Sequence, residues 1–99
     1  MRIEVVRNQA ISAQARTYAE YRVFAALTQS TGTRNLRCAR VVLRPVHDDA
    51  GGDRAACTVI IRFEEADTVR VRATGPHPYA AINRAVERLN GAIEPCVDR

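Results

Sequence analysis

The sequence contains no lysine and no tryptophan, and only 5% of its residues are aromatic. All 15 basic side chains are therefore arginines, set against 11 acids, for a formal net charge of +4. No apolar run approaches the roughly 20 residues that a membrane-spanning helix needs. Glu4 interrupts the apolar stretch that a secretory signal would have near its start. These absences argue against a membrane span and a secretory leader, and we expect a cytoplasmic protein.

The length leaves room for one hydrophobic core. The chain has 99 residues, whereas a typical domain takes about 100–150. Hydrophobic residues make up 46% and charged residues 26%, as in ordinary globular domains. We expect a single domain over residues 1–95, followed by a short tail over residues 96–99.

The cysteines and histidines do not form a metal-binding pattern. Cys38, Cys57 and Cys96 are 19 and 39 residues apart, unlike the close cysteine pairs of zinc sites. His47 and His77 are predicted to lie in loops, without partners at an informative spacing. A catalytic site needs a base, a nucleophile and an orienting group close together. We therefore expect no metal, no cofactor and no enzymatic activity.

Alternation of apolar and polar residues predicts four strands. Their predicted ranges are 2–7, 37–46, 55–63 and 68–74. Pro45 cannot donate a ladder hydrogen bond, so the second strand should end or meet a sheet edge there. The polar, glycine-rich segment 47–53 and the acidic segment 64–67 are predicted to be hairpin turns.

Apolar residues spaced three and four apart predict two helices. The first covers 13–28, with Ser12 as its N-cap, and Tyr21 and Phe24 should widen its apolar surface. The second begins at Pro78 and runs to about residue 93, where Pro95 should stop it. Each helix must bury its stripe. We therefore expect an α+β fold of order β-α-β-β-β-α, with a four-stranded mixed sheet and both helices packed on one face.

The strand alternation also places five arginines together on the face that the helices leave uncovered. They are Arg40, Arg44, Arg62, Arg70 and Arg72. Guanidinium groups match phosphate oxygens in geometry and charge, so this face is a candidate polyanion-binding surface. Two alternatives stay open. The arginine stems could simply cover the pleat in a solvated face, or Val42 and Ile60 could make the face a protein-interaction or homodimer surface.

The helices carry a second, smaller set of arginines. Arg16, Arg22, Arg84 and Arg88 lie on predicted helix surfaces, where Glu20 and Glu87 dilute their charge. Their spacing alone favours an ordinary solvated helix face.

Two helical segments of the sequence have recognisable strings. The segment 78–89 reads Pro-Tyr-Ala-Ala-Ile-Asn-Arg-Ala-Val-Glu-Arg-Leu, and the segment 18–22 reads Tyr-Ala-Glu-Tyr-Arg. They resemble the final helix and the first helix, respectively, of the ribosome hibernation-promoting factors, the ribosome-associated inhibitors also called sigma-54 modulation proteins, with Asn83 in place of the usual acid. The segments 40–43 and 69–73 fall where the family has strands. The resemblance covers nearly the whole chain.

The resemblance implies a fold similar to double-stranded RNA-binding domains and binding to the small ribosomal subunit. The expected target is ribosomal RNA near the decoding region, where binding silences translation and promotes ribosome hibernation under stress. Recognition would depend on RNA shape and phosphate. The expected RNA-binding residues are the sheet arginines Arg40, Arg44, Arg62, Arg70 and Arg72 and the helix arginines Arg22, Arg84 and Arg88.

Overall fold

A computed structural model of the chain describes residues 2–30, 36–47, 52–64 and 68–97, with side chains for all of these except 29, 30 and 93–97. The elements in chain order are β1 (Arg2–Arg7), α1 (Ala13–Ser30), β2 (Leu36–His47), β3 (Asp53–Phe63), β4 (Thr68–Gly75) and α2 (Pro78–Val97). This order confirms the predicted β-α-β-β-β-α arrangement. The four predicted strands agree with the observed ones to within two residues at each end.

The sheet has the strand order β1-β2-β3-β4. β1 is parallel to β2, and the other two pairings are antiparallel, which confirms a mixed sheet. β2 continues through Pro45 because its pairing with β1 stops earlier: Arg7 pairs with Leu43, and the Asn8 N–H donates to the Leu43 carbonyl at 3.2 Å. Backbone groups of residues 43 and 45 point to the same side. The N–H that Pro45 lacks would therefore face the side where β1 has ended.

Both helices cover the same face of the sheet, as predicted. The side chains buried between the layers come from every element except the short β1, whose Ile3 and Val5 are half-buried against them. Fully buried members include Val23 and Leu27 of α1, Val41, Leu43, Val59 and Ile61 of the sheet, and Ile82 and Leu89 of α2.

The prediction that Tyr21 and Phe24 widen the apolar face of α1 is wrong. Tyr21 is 67% exposed and Phe24 50% exposed. At about 100° per residue, Tyr21 lies nearly opposite the buried stripe that contains Ala19 and Val23. The core side of α1 is made of alanines together with Val23 and Leu27, and these two aromatic rings lie on its outer surface.

Each helix begins with a side-chain cap. The Ser12 hydroxyl accepts a hydrogen bond from the Ala15 N–H at 3.1 Å, which confirms the predicted N-cap of α1. His77 caps α2: its Nδ1 accepts from the Ala80 N–H and its carbonyl accepts from the Ala81 N–H, both at 3.2 Å. From the sequence, His77 was predicted to lie in a loop without a partner, and this capping role was not predicted.

The end of α2 differs from the prediction. Pro95 was expected to stop the helix, yet α2 continues to Val97 and includes the first two residues of the predicted tail. A proline removes one main-chain donor and disfavours the helix without forbidding it. The donor missing at Pro95 would have bonded the Gly91 carbonyl, within the last two turns. In the described part of the chain, no helix is long and apolar enough to cross a membrane.

Candidate nucleic-acid interface

The five sheet arginines lie on the uncovered face, as the alternation predicted. All five are exposed, whereas their strand neighbours Val41, Val59 and Ile61 are buried under the helices. The pairing of β1 with β2 adds two exposed charges to this face, because Arg2 pairs with Cys38 and Glu4 with Arg40. We call this surface, with Arg2, Arg40, Arg44, Arg62, Arg70 and Arg72, the open face. The formal charge of its six exposed arginines and one exposed acid is larger than the net charge of +4 of the whole chain.

The strand register keeps the arginines of the open face apart. Arg40 lies between Glu4 and Ile60, Arg62 opposite Cys38, and Arg72 opposite Thr58. None of the six arginines is directly opposite another. Arg40 lies on a diagonal from both Arg2 and Arg62, where spacings are about 7–8 Å, and Arg70 and Arg72 are two residues apart along β4. This register keeps arginines on adjacent strands from lying side by side, which lowers the repulsion between their charges. Because the guanidinium groups are spread over the face, they suit a polyanion with several phosphates better than one small anion.

One end of the open face forms a shallow pocket of about 220 Å³. Arg2, Arg40 and Arg62 line it together with Glu4, Cys38 and Ile60. This is the place where cationic side chains surround an apolar floor, an arrangement that can hold a phosphate on the arginines and a sugar or base on Ile60. The sequence contained this signal, since Arg2 and Glu4 alternate with Ile3 and Val5, but only the β1–β2 register shows which arginines they join.

The helix arginines Arg84 and Arg88 reach the edge of the sheet. The Arg84 Nη1 donates to the Thr74 carbonyl at 2.9 Å, and the Arg88 Nη1 donates to the Arg72 carbonyl. β4 is an edge strand, so these bonds occupy two of its outward carbonyls. Spacing alone favoured a merely solvated role for these side chains. They instead join α2 to β4, and each guanidinium is exposed with further N–H groups available.

Arg22 differs from the other helix arginines. It is half-buried, and its Nε is fully buried without a hydrogen-bond partner among the described residues. It follows Tyr18 by one turn on the side of α1 that faces α2, where the Tyr18 hydroxyl donates to the Asn83 Oδ1 at 2.7 Å. The structure therefore divides the eight predicted RNA-binding arginines into five on the open face, two at the β4 edge and one beside the seam between the helices.

β4 connects the arginines of the open face with the two helix arginines at its edge. Its Arg70 and Arg72 side chains lie on the open face, and its backbone carbonyls bind Arg84 and Arg88. From the sequence, the sheet arginines and the helix arginines were two separate basic surfaces. In the structure they meet along the β4 edge.

The remaining titratable side chains do not assemble a catalytic or metal site within the described ranges. Burial raises the pKa of the Cys57 thiol from 9.0 to about 12, so it stays protonated at neutral pH, unlike a nucleophilic cysteine. His47 ends β2, not a loop as predicted, and its Nδ1 lies 3.2 Å from the Asp53 carboxylate in a pair exposed to solvent. No group of three metal-ligating side chains occurs among the described residues.

Some predicted features lie outside the described residues. Of the acids assigned to hairpin turns, Asp53 begins β3 and Glu64 is an exposed turn residue. Asp48, Asp49, Glu65 and Asp67 are not described, and neither is the side chain of Cys96.

Comparisons with known proteins give a fold match and no sequence match. No protein-family model and no curated protein matches the sequence. Among solved structures, the chain is similar to the Thermus thermophilus Protein Y N-terminal domain, with a TM-score of 0.76 and 26% identity over 97% of this chain and 99% of that one. A ribosomal subunit interface protein from Coxiella burnetii has the same fold, with a TM-score of 0.75 and 12% identity over the full length of both chains. These structures confirm the resemblance of the chain to the ribosome hibernation-promoting factor family.

Proposed function

We propose that this protein binds the RNA of the small ribosomal subunit near the decoding region and silences translation, keeping ribosomes inactive under stress. The observation that carries the proposal is the open face, where six exposed arginines and one acid lie on a sheet surface that neither helix covers. Support for the ribosome as the partner comes from the resemblance in sequence and from the name of the Coxiella burnetii protein with the same fold.

The geometry favours RNA over a small acidic ligand. The arginines of the open face extend across all four strands and do not converge on one point. Structured RNA presents a row of phosphates and is recognised largely by shape and backbone contacts. Arg84 and Arg88 extend the basic surface around the β4 edge, where their free N–H groups can reach a second stretch of backbone.

The proposal is tested by measuring binding of the purified chain to purified small ribosomal subunits. We expect the combined variant Arg40→Gln, Arg44→Gln, Arg70→Gln and Arg72→Gln to bind at least about tenfold more weakly, because each substitution removes one phosphate-binding group. Arg16→Gln is a control for loss of positive charge elsewhere and should bind normally, since Arg16 is an exposed arginine of α1 away from the open face.

Variants of the helix arginines distinguish the loss of a positive charge from the loss of a bond to β4. Arg84→Gln and Arg88→Gln remove both a charge and a bond to β4, whereas Arg84→Lys and Arg88→Lys keep the charge. Weaker binding in the glutamine variants alone would indicate a phosphate contact. If the open-face variant binds normally while the Arg22, Arg84 and Arg88 variants do not, the open face is the wrong surface.

A further inference from the structure

The two edges of the sheet differ in whether side chains bond their outward backbone groups. At the β4 edge, Arg84 and Arg88 donate to the outward carbonyls of Thr74 and Arg72. Bonds of this kind protect an edge strand from pairing with another chain. The opposite edge is β1, which pairs only with β2 in the described sheet.

The outward backbone groups of β1 are available. The Asn8 N–H donates to the Leu43 carbonyl, so the even-numbered residues of this strand face β2. Ile3 and Val5 therefore direct their N–H and C=O groups away from the sheet. Among the described residues, no side chain bonds these outward groups. A second strand could pair with them without displacing any contact between described residues.

An apolar groove runs beside this edge. It has a volume of about 310 Å³ and lies between Ile3 of β1 and the outer side of α1, where Thr17, Glu20, Tyr21 and Phe24 line it. Tyr21 and Phe24 are the two most exposed large hydrophobic side chains of the described protein. An exposed aromatic pair next to an open strand edge is typical of a protein contact.

We propose that a second copy of this chain pairs with β1 in antiparallel orientation, joining two sheets into one of eight strands. Charge complementarity selects the register. With the two-fold axis at Ile3, Arg2 of each copy lies opposite the partner's Glu4, giving two reciprocal ion pairs. The next register, with Ile3 opposite the partner's Val5, places Glu4 opposite the partner's Glu4. Opposite charges directly across a strand pair stabilise it, and like charges destabilise it.

The groove favours a protein strand over RNA. Among the described residues that line it, the charged one is Glu20, which repels phosphate. In the proposed register Ile3 meets the partner's Ile3 on the helix side of the sheet, next to the Tyr21 and Phe24 rings of both copies. The open face stays uncovered in this dimer, so the inference does not depend on the proposed RNA binding.

The test is a charge exchange followed by sedimentation equilibrium of the full chain, freed of nucleic acid, over a wide range of protein concentration. Wild type should show a monomer–dimer equilibrium. Arg2→Glu and Glu4→Arg should each raise the dimer Kd by about tenfold or more, because each turns both reciprocal pairs into repulsions. The double variant Arg2→Glu, Glu4→Arg should dimerise within about threefold of wild type.

Mixing the two single variants provides the sharpest control. Arg2→Glu offers two acids and Glu4→Arg two arginines, so an equimolar mixture should form a heterodimer although neither variant dimerises well alone. Hydrogen exchange gives an independent measurement, since the amides of Ile3 and Val5 should become protected as wild-type concentration rises. A wild-type chain that stays monomeric would overturn the proposal. So would a dimer insensitive to these charges, or one that dissociates instead on changing Val42 and Ile60.

Discussion

Gly75 and Gly91 illustrate how position decides what a glycine contributes. Gly75 is buried at the end of β4, where an added Cβ would lie 2.8 Å from both the Ala80 Cβ and the Ala81 nitrogen. The β4 backbone and the first turn of α2 can approach each other because no side chain separates them. Gly91 lies in α2 with nothing within 4 Å of an added Cβ.

The two glycines should respond to alanine with opposite signs. Gly75→Ala should lower the free energy of unfolding by about 1–3 kcal/mol, since the helix start must shift to admit the methyl group. Gly91→Ala should raise it by about 0.5–1 kcal/mol, because alanine loses less backbone entropy in a helix. Urea unfolding measures both values. A neutral Gly75→Ala would contradict the close approach of β4 and α2.

The sequence predicted which face of the sheet an arginine lies on better than it predicted what the arginine binds. Alternation along the strands correctly placed Arg40, Arg44 and Arg62 on the exposed side of the sheet. It could not show that Arg88 binds the carbonyl of Arg72, because the two residues are 16 positions apart and meet only when α2 packs beside β4.

The two helices are joined by a polar contact that periodicity did not predict. The Tyr18 hydroxyl donates to the Asn83 Oδ1, and the Tyr18 and Tyr79 rings meet edge to face with centroids 5.2 Å apart. The Asn83 amide oxygen serves as the acceptor. This bond links α1 to α2 beside Arg22.

Tyr18→Phe should lower the free energy of unfolding by about 1 kcal/mol, because it removes the hydroxyl and leaves the Asn83 oxygen without its donor. The aromatic contact with Tyr79 is retained in this variant. Tyr21→Phe is the matched control on the same helix and should change the stability little, since Tyr21 is 67% exposed. An effect of equal size in both variants would show that the hydrogen bond contributes nothing specific.

The distribution of charge over the whole molecule determines how it should respond to salt. The open face alone carries six exposed arginines and one acid, more than the net charge of +4 of the chain. The described part of the chain therefore has one strongly basic side, and Glu20 and Glu87 lie on helices away from it.

Association with small ribosomal subunits should weaken steeply as salt rises. If about six phosphates are neutralised, the logarithm of the binding constant should fall against the logarithm of salt concentration with a slope of roughly −4 to −5. Replacing the four arginines Arg40, Arg44, Arg70 and Arg72 by glutamine should make this slope shallower by about one for each phosphate that is no longer neutralised. Co-sedimentation over a salt series measures it, and salt-insensitive association would contradict phosphate binding by this face.

Strand alternation and helix periodicity were enough to obtain the element order, the covered face of the sheet and the exposed arginine set. These features are local, since each depends on residues two to four positions apart. Alternation and periodicity failed where elements that are distant in the sequence pack together. Pro45 is accommodated because β1 ends beside it, and Tyr21 is exposed because it lies opposite the side of α1 that packs on the sheet.

The excess of arginine over acids, with no lysine, indicated a basic protein. The alternation of residues along the strands predicted that much of this charge lies on one face of the sheet. Three further properties follow only from the packed fold. They are the staggering of the arginines across strands, the use of Arg84 and Arg88 to bind the β4 edge, and the open β1 edge beside Tyr21 and Phe24. Each depends on register or on contacts between elements, and a linear pattern of residues does not contain that information.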